Sequence, residues 1–208
     1  MRDGQGSLSW YALWTSQLTG RSTRLLKVNP QTPSLFRGIV DATVIGAAGV
    51  VYVSTPVIFD PDPAKSVDPI VTGTINTLKA AAKAKVQRYV LSSSSKAVEG
   101  TVYNQPHIIT ADTFNYKDLW KAREEPPVAT FEWSLSVYSA GRAAAELAFW
   151  AWVDENNPPF IANCVVLDGN FGRVINTENV SKGTQSSYGM LKSALAGEWA
   201  GVFPHLCK

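Results

Sequence analysis

Two β-rich runs flanking a helix-length stretch, joined by short links, constrain this chain more than any other feature. The first run, Val50-Val51-Tyr52-Val53-Ser54, is continuously β-favouring rather than alternating. That is the pattern of a strand covered on both faces. Thr55-Pro56 ends it, and a loop through Asp60-Pro61-Asp62-Pro63 follows. Asp68-Pro69 then reads as an N-cap with proline at the first helical position. The spacing predicts a helix to about Ala84, with Ile70, Val71, Thr74, Leu78 and Ala81 or Ala82 facing inward. Arg88 to Leu91 is the next strand, closed by the serines Ser92 to Ser95. Strand, helix, strand with short connections implies a right-handed parallel βαβ unit and an α/β fold.

The rest of the chain is less regular. In residues 1–34, Trp10, Trp14 and Leu18 fall at helical spacing, which predicts a short helix. A loop through Asn29-Pro30 and Thr32-Pro33 follows it. Residues 99–137 show little periodicity but hold Trp120 and Trp133; long irregular segments in compact domains are usually functional or mobile. A helix is expected from about Val137 to Glu155, stopped by Asn156-Asn157-Pro158-Pro159. Ile161 to Leu167 reads as a third buried strand, and Asp168-Gly169-Asn170-Phe171-Gly172 turns out of it. Residues 173–208 are polar, then weakly helical around Tyr188 to Leu195.

Bulk properties exclude several classes. With 208 residues, 45% hydrophobic and 17% charged, the chain is globular and large enough for a sizeable core. A net charge of +2 gives no case for nucleic acid or an anionic membrane. The longest uncharged run, Ala42 to Phe59, is interrupted by Gly46, Gly49, Ser54, Thr55 and Pro56 and reads as a buried strand rather than a membrane span. Cys164 and Cys207 read as two free thiols in a reducing compartment. The N-terminus lacks the apolar core of a secretory signal, so the expected location is cytoplasmic. Nothing near His107 or His205 has metal-ligand spacing.

The chemistry points to Tyr138-Ser139-Ala140-Gly141-Arg142. A tyrosine and a cation four residues apart stack on one helix face. A nearby cation favours the phenolate, so the pair can make Tyr138 a proton donor near neutral pH. In isolation such a pair is more often a surface cation beside a helix-start tyrosine. The serine run at a strand end upstream raises its interest.

Several segments, in order, resemble the extended short-chain dehydrogenase/reductase family of the NAD(P)-dependent epimerase/dehydratase superfamily. Gly49 to Pro56 resembles its strand ending in an Ala-Ser-Pro-like turn. Pro69 to Leu78 resembles its helix with an internal asparagine, here Asn76. Tyr89 to Ser94 resembles its Thr-Ser-Ser strand end. Tyr138 to Trp150 resembles its active-site helix with the Ala-Glu-x-Ala-x-Trp continuation. The nearest branch is that of dihydroflavonol reductases and fungal aldehyde or carbonyl reductases.

The resemblance implies NADP- or NAD-dependent reduction of a ketone or aldehyde, either a small carbonyl compound or a ketone of secondary metabolism. Ser94 would hydrogen-bond the carbonyl, Tyr138 would protonate the developing alkoxide, and Arg142 would stand where the family has a lysine that holds the nicotinamide ribose. Ser54, Thr55, Pro56, Asn76, Arg142 and Gly169 would border the cofactor. Alternatives are a non-catalytic paralogue or partner-binding remnant, and an epimerase or dehydratase.

The chain departs from the family pattern in definite places. The glycine-rich strand-turn-helix that cradles a pyrophosphate is not found, since Gly4-x-Gly6 has no preceding strand and Gly46-Ala47-Ala48-Gly49 leads into one. Cofactor binding is therefore the least supported of the implied properties. Arg142, unlike lysine, cannot pass on a proton. The expected architecture is an incomplete Rossmann-like doubly wound sheet. Residues 1–35 replace its first strands, 36–172 form its core, and 173–208 are expected to be a remnant of a C-terminal substrate domain, most of which this sequence pattern lacks. Without a first strand, the strand at 50–54 becomes an exposed apolar edge unless residues 1–34 cover it, and such an edge favours a homodimer.

Overall fold

The computed structural model describes residues 10–14, 24–27, 41–53, 58–100, 106–172 and 187–198. It divides into two compact units, Met1–Val166 and Leu167–Lys208. The first unit holds a five-stranded sheet in the order β2-β1-β3-β4-β5. Its strands are β1 (Trp10–Trp14), β2 (Arg24–Lys27), β3 (Gly49–Tyr52), β4 (Arg88–Ser92) and β5 (Ile161–Val165). Strands β3, β4 and β5 are parallel, whereas β1 runs antiparallel to both β2 and β3. The helices of this unit include α1 (Pro63–Lys83), α2 (Ser95–Val98), α3 (Tyr116–Glu124) and α4 (Phe131–Asn156). The second unit contains α5 (Ser187–Leu195), where weak helicity is expected.

The predicted α/β fold with a Rossmann-like parallel core is present. Register sets Val50, Tyr89 and Ala162 in one row across β3, β4 and β5, and Tyr52, Leu91 and Cys164 in another. These rows form one face of the sheet, and α1 and α4 cover it. Tyr89 touches both helices: its hydroxyl is 2.6 Å from Thr77 Oγ1 on α1, and its ring is 5.8 Å from Phe149 on α4. Leu78, Phe149 and Phe160 close this core. Gly141 on α4 lies where α1 approaches closely; a Cβ there would come within 2.9 Å of Ile70 Cδ1.

Burial drives the Tyr89 pKa well above its ordinary value of 10.0, and the Thr77 hydrogen bond opposes this only in part. Above about pH 10 the unfolded chain loses the Tyr89 proton while the folded chain keeps it. The folded state then binds more protons, so stability falls as pH rises through that range. A Tyr89→Phe variant should lose less stability between pH 9 and 11 than the parent, as read by urea unfolding.

Several expectations are corrected by the structure. Residues Trp10–Trp14 form a strand, not a helix. Their spacing is helical, but β3 offers an unpaired row of backbone groups, and β1 pairs with it at Leu13–Tyr52 and Trp14–Val51. The β3 edge is therefore covered, and the dimer expected through it loses its stated basis. Helix α1 starts at Pro63 rather than Pro69 because the Asp-Pro signal occurs three times here, at Asp60, Asp62 and Asp68, and the chain uses the second. Asp62 is the N-cap, its side chain accepting from the Ala64 N–H at 3.0 Å, and Pro69 sits inside the helix. The Lys65 carbonyl that Pro69 leaves without an N–H belongs to an exposed residue, where water can serve it. Asp62→Ala should cost about 1 kcal/mol in unfolding free energy, measurable by urea titration.

Helix α4 begins at Phe131, six residues earlier than expected from about Val137, because Thr130 caps it through the Trp133 N–H. Residues 116–124, read as part of an irregular segment, are helical. Finally, β5 is not buried. Ile161 is 54% exposed and Val165 46%. It is an edge among the described residues, and its outward face meets no described helix. Among the described residues, no helix is long and apolar enough to cross a membrane.

Candidate active site

The serine run, the tyrosine and the arginine meet where the parallel strands end. Open α/β sheets place their ligands at this carboxyl edge. Strand β4 ends at Ser92, and the Ser93 N–H continues the ladder to the Val165 carbonyl at 2.8 Å. Ser94 then adopts an extended conformation and caps α2, its Oγ accepting from the Lys96 N–H at 3.2 Å. That cap uses an acceptor lone pair and leaves the Ser94 O–H able to donate elsewhere.

Arg142 projects from α4 and is buried, with 7% of its surface exposed. Its Nη2 donates to the Ser92 carbonyl at 2.9 Å. Its Nε has no hydrogen-bond partner among the described residues. Burial lowers its pKa, while Tyr138, Tyr52, Cys164 and Glu146 act in the opposite direction. Tyr138, one turn earlier, is half-buried, and its ring packs against Phe59 with centroids 5.0 Å apart. The arrangement therefore brings the strand-end serines, a tyrosine and a fixed cation to one place.

Other sequence-predicted positions fare differently. Ser54, Thr55 and Pro56 lie outside the described residues. Asn76 is buried on α1 and engaged there. Gly169 belongs to the second unit, where an added Cβ would meet the Phe171 ring at 3.0 Å. Trp133 is a core residue that donates from Nε1 to the Pro61 carbonyl at 2.7 Å. Trp120 is 70% exposed. His107 lies against Glu99.

A cavity of about 540 Å³ lies between α1, α3 and α4, lined by Val67, Leu119, Trp120 and Ala140 among others. Ala140 is two residues from Tyr138, about 200° around the helix, so this cavity is separate from the tyrosine site.

Sequence reasoning missed two buried partners. Ser93, not assigned a role, donates its hydroxyl to Glu146 Oε2. Glu146, 5% exposed, sits one turn beyond Arg142 on α4. A lone carboxylate within the apolar run Ala143 to Trp150 was the signal, because a buried acid needs donors. Cys164, on the neighbouring strand β5, lies near Glu146. Burial and then the Glu146 charge push its thiol up to about 12, while Ser93 and Arg142 pull the other way.

Comparison with known proteins bears on the family and the fold. No protein-family model matches the chain. Aldehyde reductase 2 of Sporidiobolus salmonicolor is 32% identical over 169 residues, which is 79% of this chain and 47% of that protein. An NAD-dependent epimerase/dehydratase of Aspergillus terreus is 30% identical over 142 residues, 68% of this chain and 42% of that protein. The chain thus spans about half the length of the curated relatives it matches. The crystal structure of yeast methylglyoxal/isovaleraldehyde reductase Gre2 complexed with NADPH shares the fold, with a TM-score of 0.66 at 22% identity over 80% of this chain and 49% of that one. With the strand-end serines, the tyrosine helix and the parallel core in the family's order, the chain belongs to the extended short-chain dehydrogenase/reductase family.

Proposed function

We propose that this chain carries the serine-tyrosine-cation site of an NAD(P)H-dependent ketone or aldehyde reductase. The observation that carries this reading is the Arg142 Nη2 to Ser92 carbonyl bond, which locks the active-site helix to the serine strand end. Ser94 donates its uncommitted O–H to the substrate carbonyl. Tyr138 gives its phenolic proton to the oxygen as negative charge develops on it. Arg142 supplies a permanent positive charge beside Tyr138 but no exchangeable proton.

The residues fit a nicotinamide dinucleotide at one end. The buried Arg142 Nε is an unspent donor of the kind a ribose hydroxyl can use. At the pyrophosphate end, Gly46 to Gly49 runs into β3 rather than a helix and offers no phosphate cradle. When bound, the cofactor supplies the hydride. NADP over NAD, a cytoplasmic location, a small carbonyl substrate and a role in secondary metabolism all belong to this proposal; the reductases among the relatives support the carbonyl substrate.

A second reading is a non-catalytic member of the family. The missing cradle among the described residues and the arginine fixed to Ser92 favour it. Titration of the whole chain with NADPH and NADH, followed by tryptophan fluorescence, decides between the two. Saturable binding in the micromolar range supports the reductase, and no binding at millimolar cofactor overturns it.

A further inference from the structure

Glu146 is a buried carboxylate that the proposed proton transfer does not use. It stands at a junction of three elements. It lies on α4, it accepts the Ser93 hydroxyl at the end of β4, and it is near enough to Cys164 of β5 for its charge to act on the thiol. The two strand ends are themselves joined by the Ser93 N–H to Val165 carbonyl bond at 2.8 Å. One turn earlier on α4, Arg142 bonds the Ser92 carbonyl at 2.9 Å. Consecutive residues of the serine strand end are thus held by an acid and a base from one helix face, four residues apart. Ser94 follows directly, with its own position set by the Lys96 cap.

We propose that Glu146 is a positioning residue: through Ser93, whose N–H is bonded to β5, it ties the end of β4 to α4, and so fixes the turn from which Ser94 presents its hydroxyl. A buried carboxylate with no hydroxyl donor would be costly, so the tie is strong only with that donor in place. The charged groups around it are Arg142 from α4 and the titratable Cys164 from β5, with Tyr52 from β3 close enough to act on Arg142. The consequence for catalysis rests on the reductase reading above; the tie itself does not.

The test uses the full chain with Cys207→Ser, which leaves Cys164 as the only thiol. Two readouts need no enzymatic activity: the rate of Cys164 alkylation by iodoacetamide at pH 9, and hydrogen exchange at the Lys96 amide. In Glu146→Gln the negative charge that raises the thiol is gone, so alkylation should accelerate about fivefold or more. Lys96 exchange should quicken about tenfold as the Ser94 cap loosens. In Ser93→Ala the hydroxyl that lowers the thiol pKa is gone, so alkylation should slow while Lys96 exchange again quickens. Opposite signs at Cys164 with the same sign at Lys96 are what the tie requires. Acceleration at Cys164 in both variants would mean general loosening and overturns the proposal, as does no change at either position. If Glu146→Gln does not fold, Ser93→Ala alone decides by the same signs.

Where the parent reduces a carbonyl substrate, kcat in Glu146→Gln should fall about ten- to hundredfold with cofactor affinity unchanged, and an unchanged kcat also overturns the proposal. A parent that binds no cofactor and reduces nothing sinks the reductase reading, while the Cys164 and Lys96 readouts still decide the tie.

Discussion

Phe149→Ala should lower the unfolding free energy of the chain by about 3–5 kcal/mol, the largest stability effect expected of any single side-chain truncation in this fold. Phe149 is fully buried on α4. Its ring lies 5.8 Å from Tyr89 on β4 and 4.7 Å from Trp150, and Tyr89 in turn stacks on Phe160 at 5.6 Å. Truncation removes apolar area and leaves a void that Tyr89 cannot fill, because its hydroxyl is bonded to Thr77 on the other helix. The cost therefore includes the cavity as well as the lost transfer energy. Urea unfolding followed by circular dichroism gives the value. Ile108→Ala, at a residue 86% exposed, serves as the control and should change stability by no more than about 0.5 kcal/mol. A loss below about 1 kcal/mol for Phe149→Ala would mean that α4 does not depend on the sheet face for its placement.

Tyr138→Phe should leave the fold and cofactor affinity intact while cutting carbonyl reduction by about 10²–10⁴-fold, the usual contribution of a positioned general acid. The tyrosine contacts Phe59 through its ring, and phenylalanine keeps that contact. Its hydroxyl makes no hydrogen bond to a described residue, so removing it strands no partner in the protein. Stability should change by less than about 0.5 kcal/mol, which separates a chemical effect from a structural one. The measurement is kcat for NADPH-dependent reduction of a small aldehyde alongside NADPH affinity by fluorescence. Activity that survives the substitution would remove Tyr138 from the role of proton donor.

The position of the site was legible in the sequence because its main residues lie in segments with strong local character. Ser94 closes a β-rich run, and Tyr138 and Arg142 sit one turn apart in a helix-forming stretch; neither placement needed a distant partner. Ser93 and Glu146 were not legible, because 53 residues separate them and nothing local says that a serine at a strand end faces an acid on a helix. The pleat decides it. Ser93 points to the side of the sheet that α4 covers, as Leu91 and Tyr89 do, while Ser92 offers its carbonyl to Arg142.

By itself, then, the sequence determined the βαβ core and the existence of the long tyrosine helix, since these follow from periodicity, propensity and turn chemistry over short windows; the family came instead from the resemblance of whole segments. Tertiary structure alone decided three things. It made a strand of Trp10–Trp14 against helical spacing, because the open row of backbone donors and acceptors on β3 takes whatever strand can pair with it. It left β5 half-exposed despite its apolar text, because burial depends on what packs against a strand and not on the strand's own residues. It also gathered Ser93, Glu146 and Arg142 into one buried cluster beside the half-buried Cys164, where the low local dielectric makes each hydrogen bond and charge count for more than it would at the surface.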